Sequence, residues 1–232
     1  MIRSVKIGFL IFFICLASKG KALWQTNIQF SVVNGLSKIH INDTLFLGDD
    51  STVCQITSLK FYISKIQLLK RHKIVAEDSI KFRLIDGSAE NSFKILSNSK
   101  RKITFDELKF DLGIDSITNV SGAFGGDLDP TKGMYWTWQS GYINFKLEGR
   151  SKLCKTRNNE FQFHVGGYQK ANSCLQTLRF SVATSDVISI KLDIMKIFEN
   201  IDLTKTNRVM SPSAEAVSIS KIIANAFLIL EH

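Results

Sequence analysis

Short runs of β-branched and aromatic residues, each followed by a turn dipeptide, recur along most of this sequence. Ile28–Val33 is followed by Asn34-Gly35, and Ile80–Ile85 is followed by Asp86-Gly87. Asn, Asp and Gly tolerate positive φ, so these dipeptides are typical of tight turns between strands. The other predicted strands are Lys38–Ile41, Leu59–Leu68, Lys102–Leu112, Tyr142–Leu147, Glu160–Val165, Leu175–Ala183 and Ile188–Ile194. Because no long helix separates the runs, they predict an all-β fold with a single antiparallel β-sandwich, immunoglobulin-like or similar.

The C-terminal part of the chain carries a clear helical pattern. Ser211 can cap a helix, and Pro212 suits the first helical position. The apolar stripe of this helix consists of Ala216, Ile219, Ile223 and Phe227. We predict a short C-terminal helix over about residues 212–228 that closes the sandwich at one end.

The first 22 residues have the pattern of a secretory signal peptide. Arg3 and Lys6 precede the apolar run Ile7–Ala17, and Gly20-Lys21-Ala22 places small residues at a cleavage site. About 11 apolar residues are too few to span a membrane, which needs roughly 20. Anchoring, either by this segment or by a lipid on Cys15, remains the alternative. We therefore expect cleavage after Ala22, one mature domain over residues 23–232 with no transmembrane segment, and a periplasmic or secreted location.

The basic charge of the chain argues little for nucleic acid as a partner. The formal net charge is +9, and removal of residues 1–22 takes away four basic residues and no acid, which leaves +5. The remaining basic residues are scattered among acids apart from two short clusters, residues 70–73 and 100–102. Such clusters decorate turns more often than they bind phosphate, so we predict no nucleic-acid binding.

Three cysteines remain after residue 22, namely Cys54, Cys154 and Cys174. In an oxidising compartment we expect two of them to form a disulfide and the third to stay unpaired. Cys154 and Cys174 flank a single predicted strand, so we predict a disulfide between them. Cys54 then stays a buried thiol.

Two of the three tryptophans, Trp136 and Trp138, stand one residue apart. Strand alternation places them side by side on one face. The apolar residues after them change parity near Gly141, which predicts a β-bulge there. The alternative is that both indoles are simply core residues.

The run Phe161–Val165 places His164 on the opposite face from its aromatic neighbours. A lone histidine is usually a surface or hydrogen-bonded structural residue, and that alternative stays open. The following Gly166 and Gly167 permit a close backbone approach, which favours a site.

Asp127 and Asp129 could offer oxygen ligands to calcium, although Asp129-Pro130 is more simply the start of a turn. The sequence contains no G-x-S-x-G, no H-E-x-x-H and no phosphate-binding glycine loop. These absences argue against a hydrolase.

Several of these stretches together resemble one known family. They are GDLDPTKGMYWTWQSGYINFKLEG (residues 126–149), FQFHVGG after it, FDLGID (Phe110–Asp115), LKFYISKIQL (Leu59–Leu68) and RVMSPSAEAV (Arg208–Val217). The set is similar to the MbnP-like copper-binding family of secreted or periplasmic β-proteins, over nearly the whole mature chain.

The resemblance implies an exported, non-catalytic copper-binding or copper-handling protein. Family members are paired with a dihaem, peroxidase-like enzyme that oxidises a tryptophan of the W-x-W motif to kynurenine. Carried over to this sequence, Trp136 and Trp138 are the candidate modification sites, and His164 is the candidate imidazole ligand of copper. Met134 could add a thioether to the site, although a methionine on a strand usually fills a core. The alternative function is an exported interaction or adhesion β-module without a metal.

Overall fold

The computed structural model describes residues 26–47, 52–96, 102–137 and 139–230. The predicted signal peptide and Cys15 lie outside these residues. In chain order the strands are β1 (Asn27–Asn34), β2 (Ser37–Lys38), β3 (Thr44–Leu47), β4 (Thr52–Lys70), β5 (Lys73–Glu77), β6 (Phe82–Asp86), β7 (Lys94–Ile95), β8 (Glu107–Leu112), β9 (Tyr135–Thr137), β10 (Gly141–Ser151), β11 (Glu160–Gly166), β12 (Gln176–Ser181), β13 (Val187–Asp193), β14 (Arg208–Val209) and β15 (Phe227–Ile229). The α-helices are α1 (Ser116–Val120), α2 (Ile194–Phe198) and α3 (Ala214–Asn225). Single 3-10 turns occur at Glu90–Phe93, Gly126–Leu128, Pro130–Lys132 and Lys170–Asn172.

The strands form two sheets, which confirms the all-β class. The larger sheet has the strand order β12-β8-β4-β10-β11-β14, with β3, β5 and β6 paired to β4 and β9 paired to β10. The smaller sheet has the order β15-β13-β1-β2, with β7 also paired to β1. Strand β4 is 19 residues long and holds the larger sheet together.

The prediction of a purely antiparallel arrangement is wrong at two places. Strand β1 pairs with β13 in parallel, from Asn27 opposite Val187 to Val33 opposite Asp193. Strand β11 pairs with β14 in parallel as well. Strands that pair in parallel need a long connection, and here most of the chain lies between β1 and β13.

The main core lies between the two sheets and is rich in phenylalanine. Phe61 of β4 stacks on Phe145 of β10, with ring centroids 5.6 Å apart. Phe61 also meets Phe30 of β1 at 6.1 Å and Phe227 of β15 at 5.5 Å, both edge to face. One side chain of the larger sheet therefore contacts two strands of the smaller sheet.

A second, smaller core covers the other face of the larger sheet, and we call it the outer cluster. It consists of Tyr62, Leu84, Ile114, Leu128, Met134, Tyr142 and Ile143. The segment 113–137 lies over this face and is fixed to it by hydrogen bonds. The Tyr62 hydroxyl donates to the Asp127 carbonyl (3.0 Å), the Leu84 N–H donates to the Asp127 carboxylate (3.0 Å), and the Ser64 hydroxyl donates to the Gly113 carbonyl (2.7 Å).

The C-terminal helix is present but begins later than predicted. Ser213, not Ser211, caps α3, since its hydroxyl accepts a hydrogen bond from the Ala216 N–H at 3.0 Å. Ala216, Ile219 and Ile223 are buried along the predicted stripe. Phe227 is also buried, but it belongs to β15, because the helix ends at Asn225 and the chain then joins the smaller sheet beside β13.

The predicted disulfide between Cys154 and Cys174 is wrong, because strand β11 separates the two thiols. The Cys154 N–H donates to the Ser151 carbonyl at 3.0 Å, near the start of β11. The Cys174 thiol donates to the carbonyl of Gly166, 3.2 Å away, at the end of β11. Seven residues of strand span about 20 Å, whereas bridged Cα atoms lie within about 7 Å. Cys54, Cys154 and Cys174 are all free, buried thiols.

Among the residues that the structure describes, no helix has the length and apolar character needed to cross a membrane.

Candidate functional site

Trp136 lies at the edge of the outer cluster, where the chain leaves the covering segment and enters the β9–β10 hairpin. The indole is partly exposed and packs against the outer cluster. Its six-membered ring lies over Gly166 of β11, because a Cβ placed on Gly166 would be 2.9 Å from Cζ3 and 3.1 Å from Cη2 of Trp136. The close backbone approach predicted at Gly166 is confirmed, since the same Cβ would lie 2.6 Å from the Tyr142 carbonyl, and the indole of Trp136 approaches this glycine as well.

His164 lies on the same strand, two residues before Gly166. Phe161, Phe163 and Val165 of β11 belong to the main core, so the imidazole of His164 is on the outer face, as predicted. It is nevertheless only 8% exposed. The outer face of β11 is thus covered around this histidine.

The imidazole of His164 is held by a carboxylate on the neighbouring strand. Its Nε2 lies 2.6 Å from Oε1 of Glu148 on β10, and Lys146 Nζ lies 3.5 Å from the same oxygen. Because the carboxylate accepts, Nε2 carries the proton and Nδ1 retains the lone pair that a metal ion could accept. Burial lowers the pKa of His164 below its ordinary value, while the hydrogen bond to Glu148 opposes the shift and the nearby charges of Lys146 and Arg208 add to it.

The structure brings Trp136 and His164 to neighbouring positions on one face. Alternate residues of a strand point to the same side, so the place where a Gly166 side chain would lie is beside His164, about 7 Å along the strand. The indole of Trp136 occupies that place. The two predicted site residues therefore lie on the same face of β11 although 28 positions separate them in the sequence.

The ring nitrogen of Trp136 has no hydrogen-bond acceptor. Within the described ranges, Nε1 of this indole is one of four buried side-chain polar atoms without a hydrogen-bond partner. A buried polar group in that state costs free energy and is uncommon in native proteins. The indole N–H of Trp136 is therefore not fixed by any protein acceptor in the described residues.

A bulge at the start of β10 sets the direction of the hairpin, as predicted. Gly141 has φ +74° and pairs with Thr137, and the register with β9 shifts between Gly141 and Tyr142. Asn119 fixes this point, since its Oδ1 accepts from the Tyr142 N–H at 2.8 Å and would lie 2.2 Å from a Cβ on Gly141.

A second register shift follows in β10, between Ile143 and Phe145. Ile143 therefore joins the outer cluster, whereas Phe145 joins the main core. Trp138, the other predicted modification site, lies outside the described residues.

Met134 is fully buried in the outer cluster. The tyrosines of that cluster pack closely, with ring centroids 5.9 Å apart for Tyr62 and Tyr142, and Tyr135 lies 4.8 Å from Tyr142. This is the environment of a core-filling methionine.

The two aspartates of the covering segment make internal contacts. The Asp127 carboxylate accepts from the Leu84 N–H and from Lys132 Nζ, at 3.0 and 2.8 Å. Asp129 caps the turn Pro130–Lys132 by accepting from the Thr131 N–H at 2.8 Å. Both carboxylates thus stabilise the conformation of the covering segment that precedes Trp136.

A comparison with protein families shows to which family this chain belongs. The sequence model of the MbnP family matches residues 25–211. This chain belongs to the MbnP family. The solved structure of MbnP from Methylosinus trichosporium is similar, with a TM-score of 0.59 and 15% sequence identity over 83% of this chain and 86% of that chain. At that identity the likeness shows the fold alone. No curated protein matches the sequence.

Membership of the MbnP family suggests a copper-related role, which raises the question of copper ligands at this site. The Nδ1 lone pair of His164, with Glu148 behind the ring, suits a copper ion. However, within residues 26–47, 52–96, 102–137 and 139–230, no three His, Cys, Asp or Glu side chains come together as a metal-binding group. An indole N–H is a donor and cannot ligate a metal. The unmodified side chains therefore do not fit a copper ion.

Two residues of this candidate site were not found from the sequence. Glu148 and Gly149 have the pattern of a turn, which hides the fact that β10 continues to Ser151 and aims Glu148 at His164. Asn119 carries no local signal, because its role depends on α1 lying beside the β9–β10 hairpin.

Proposed function

We propose that this MbnP-family chain is an exported copper-handling protein, itself not an enzyme, whose W-x-W motif is the substrate of a partner dihaem peroxidase-like enzyme. The observation that carries the proposal is the placement of a partly exposed indole, with an unpartnered N–H, beside an imidazole oriented by a carboxylate. Trp136 is the principal candidate for oxidation, and Trp138 is the second.

The proposed reaction is oxidation of tryptophan to kynurenine. The bond between C2 and C3 of the indole breaks, and each of these carbons gains an oxygen atom from water or dioxygen. The oxidised haem of the partner takes up the electrons that the ring loses when water is the oxygen source. Hydrolysis of the resulting N-formyl group releases formate and leaves an aniline nitrogen and a ketone oxygen.

The site explains why oxidation would precede copper binding. The unmodified residues do not fit copper, whereas kynurenine has an amine and a ketone oxygen that indole lacks. At position 136 these groups would lie on the face that carries His164. Copper binding in this proposal therefore depends on the oxidation and on His164.

The proposal is tested by the mass of the protein isolated from its own source, with peptide mapping over residues 133–146. We expect a modified mass at Trp136 or Trp138 and an unmodified Trp24, which is the matched control outside the motif. Trp136→Phe and Trp138→Phe, produced with the partner enzyme, identify the residue. An unmodified native protein, or equal oxidation of Trp24, would contradict the proposal and favour an interaction module without a metal.

Copper retention is tested separately by dialysis of the oxidised protein. We expect the oxidised chain to retain copper and the unmodified chain to lose it. His164→Gln should still be oxidised but should lose the copper, since the imidazole acts only in binding. Equal retention by the unmodified chain would show that copper is held elsewhere.

A further inference from the structure

Cys54 and Cys154 meet at one end of the larger sheet. Cys54 of β4 is the register partner of Ser151, the last residue of β10. The chain then turns, and the Cys154 N–H donates to the Ser151 carbonyl at 3.0 Å. This turn brings Cys154 back beside the residue that Cys54 faces. Paired Cα atoms in an antiparallel ladder are about 5 Å apart, so Cys54 lies about that far from Ser151, and the turn places Cys154 on the other side of the same residue.

Both side chains point into the same interior. Cys54 and Cys154 are each 0% exposed and belong to the main core. Burial raises the pKa of the Cys54 thiol to about 12, and the neighbouring Cys154 contributes to this rise. The electrostatic influence of one thiol on the other agrees with the placement of both cysteines beside Ser151.

The third cysteine has a different partner. Cys174 lies at the far end of β11, and its thiol donates to the carbonyl of Gly166 at 3.2 Å and to that of Asn172 at 3.7 Å. The strand that excludes a bond between Cys154 and Cys174 leaves Cys54 as the neighbour of Cys154.

We propose that Cys54 and Cys154 form a disulfide when the chain folds in the presence of a disulfide oxidant such as oxidised glutathione. The two thiols lose two protons and two electrons, one sulfur–sulfur bond forms, and the disulfide of the oxidant is reduced to two thiols. Cys174 remains a thiol.

The burial of the two thiols dictates when the bond forms. Thiolate is the attacking species in disulfide exchange, and a thiolate is strongly disfavoured inside the folded core. The bond therefore forms during folding, before the core closes, and the reduced folded protein reacts slowly. The bond would close a loop of about 100 residues, and it would therefore lower the conformational entropy of the unfolded chain strongly.

The experiment is to refold the mature chain, residues 23–232, with oxidised and reduced glutathione, block the remaining thiols in denaturant with N-ethylmaleimide, and map the peptides without reduction. We expect a linked peptide that contains Cys54 and Cys154, and an alkylated Cys174. Cys174→Ala should keep the link, whereas Cys54→Ala and Cys154→Ala should each abolish it. The oxidised protein should melt on the order of 10 °C above the reduced one.

Alkylation of all three cysteines after oxidative refolding would overturn the proposal, as would a link that includes Cys174. If a single alanine variant fails to fold, the unsubstituted chain and Cys174→Ala still give the answer by peptide mapping. The result is independent of tryptophan oxidation, because the modified tryptophans would appear in a different peptide.

Discussion

Gly166 decides whether an indole can lie on the outer face of β11. Any side chain at this position would meet the ring of Trp136 and also the Tyr142 carbonyl, which lies 2.6 Å from the point that a Cβ would occupy. The glycine thus provides the space in which Trp136 and His164 adjoin. Glycine is needed at position 166 because a Cβ would clash with its neighbours, and not because of the φ angle.

Gly166→Ala is expected to displace the indole and to lower the free energy of unfolding by about 1–3 kcal/mol, the usual cost of overpacking. Urea denaturation measures the change. It should also reduce oxidation of Trp136 by the partner enzyme, because the ring leaves its place beside His164.

Gly125→Ala is the matched control for this substitution. Gly125 has φ −90°, and a Cβ there would have no atom within 4 Å. We expect a change of less than about 0.5 kcal/mol. An equal effect of both substitutions would show that the contact with Trp136 is unimportant.

The sequence predicts on which face of β11 His164 lies, but it does not predict the residues that hold His164 and Trp136 in place. Alternation within β11 places His164 opposite the core, and the glycine after it indicates a close approach. Trp136 and Trp138 became candidate site residues through the family resemblance. Glu148 and Asn119 act across strands and segments that are far apart in the sequence, so no local pattern reveals them.

Helix α1 is the short element that fixes the covering segment beside the hairpin. Asp115 caps it by accepting from the Thr118 N–H at 2.9 Å, and Lys65 Nζ lies 3.2 Å from the same carboxylate. Burial acts to raise the pKa of Asp115, but the hydrogen bonds from Thr118 and the charge of Lys65 outweigh it, so the pKa lies below its ordinary value.

Asp115→Ala is expected to lower the free energy of unfolding by about 1 kcal/mol at neutral pH, because the helix loses its cap. Since the pKa is lower in the folded chain than in the unfolded chain, the ionised carboxylate stabilises the fold above about pH 4, and this contribution is lost as the pH falls through the folded pKa. The difference between the variant and the natural protein should therefore shrink in acid. Urea denaturation at several pH values measures it.

Asp115→Asn separates the cap from the charge. Asparagine caps as well as aspartate does, so this variant should keep most of the stability at neutral pH and lose the pH dependence contributed by Asp115. If it is as unstable as Asp115→Ala, the ion pair with Lys65 matters more than the cap.

Strand positions were largely predictable, but their pairing was not. Turn dipeptides mark the ends of β1 and β6 well. Gly35 has φ +63°, which glycine tolerates, whereas Gly87 is required by space, since a Cβ there would lie 2.7 Å from Cδ1 of Ile41. The shift of the helix cap from Ser211 to Ser213 is a choice between two equally suitable serines. The parallel pairing of β1 with β13 has no local signal at all, since it depends on contacts between the two ends of the chain.

The two sheets are held together chiefly through aromatic contacts, and Phe61 is central among them. It is 1% exposed and touches Phe30, Phe145 and Phe227 from three different strands. The stability of the whole molecule should therefore be sensitive to this residue.

Phe61→Ala is expected to lower the free energy of unfolding by about 3–5 kcal/mol, because it leaves a cavity between the sheets. Phe46→Ala is the control, since Phe46 is 46% exposed on β3, and its cost should be below about 1 kcal/mol. Urea denaturation compares the two variants. Similar losses would mean that the sheets do not depend on the Phe61 contacts.

Because β1 pairs in parallel with β13, the smaller sheet cannot form until both strands have been synthesised. The ribosome releases residue 27 long before residue 187, its partner in the ladder. Throughout that interval the first strand has an apolar face and a row of backbone groups that still awaits this partner, which is a state prone to aggregation. A newly made chain therefore needs protection from aggregation until residues 187–193 have been synthesised.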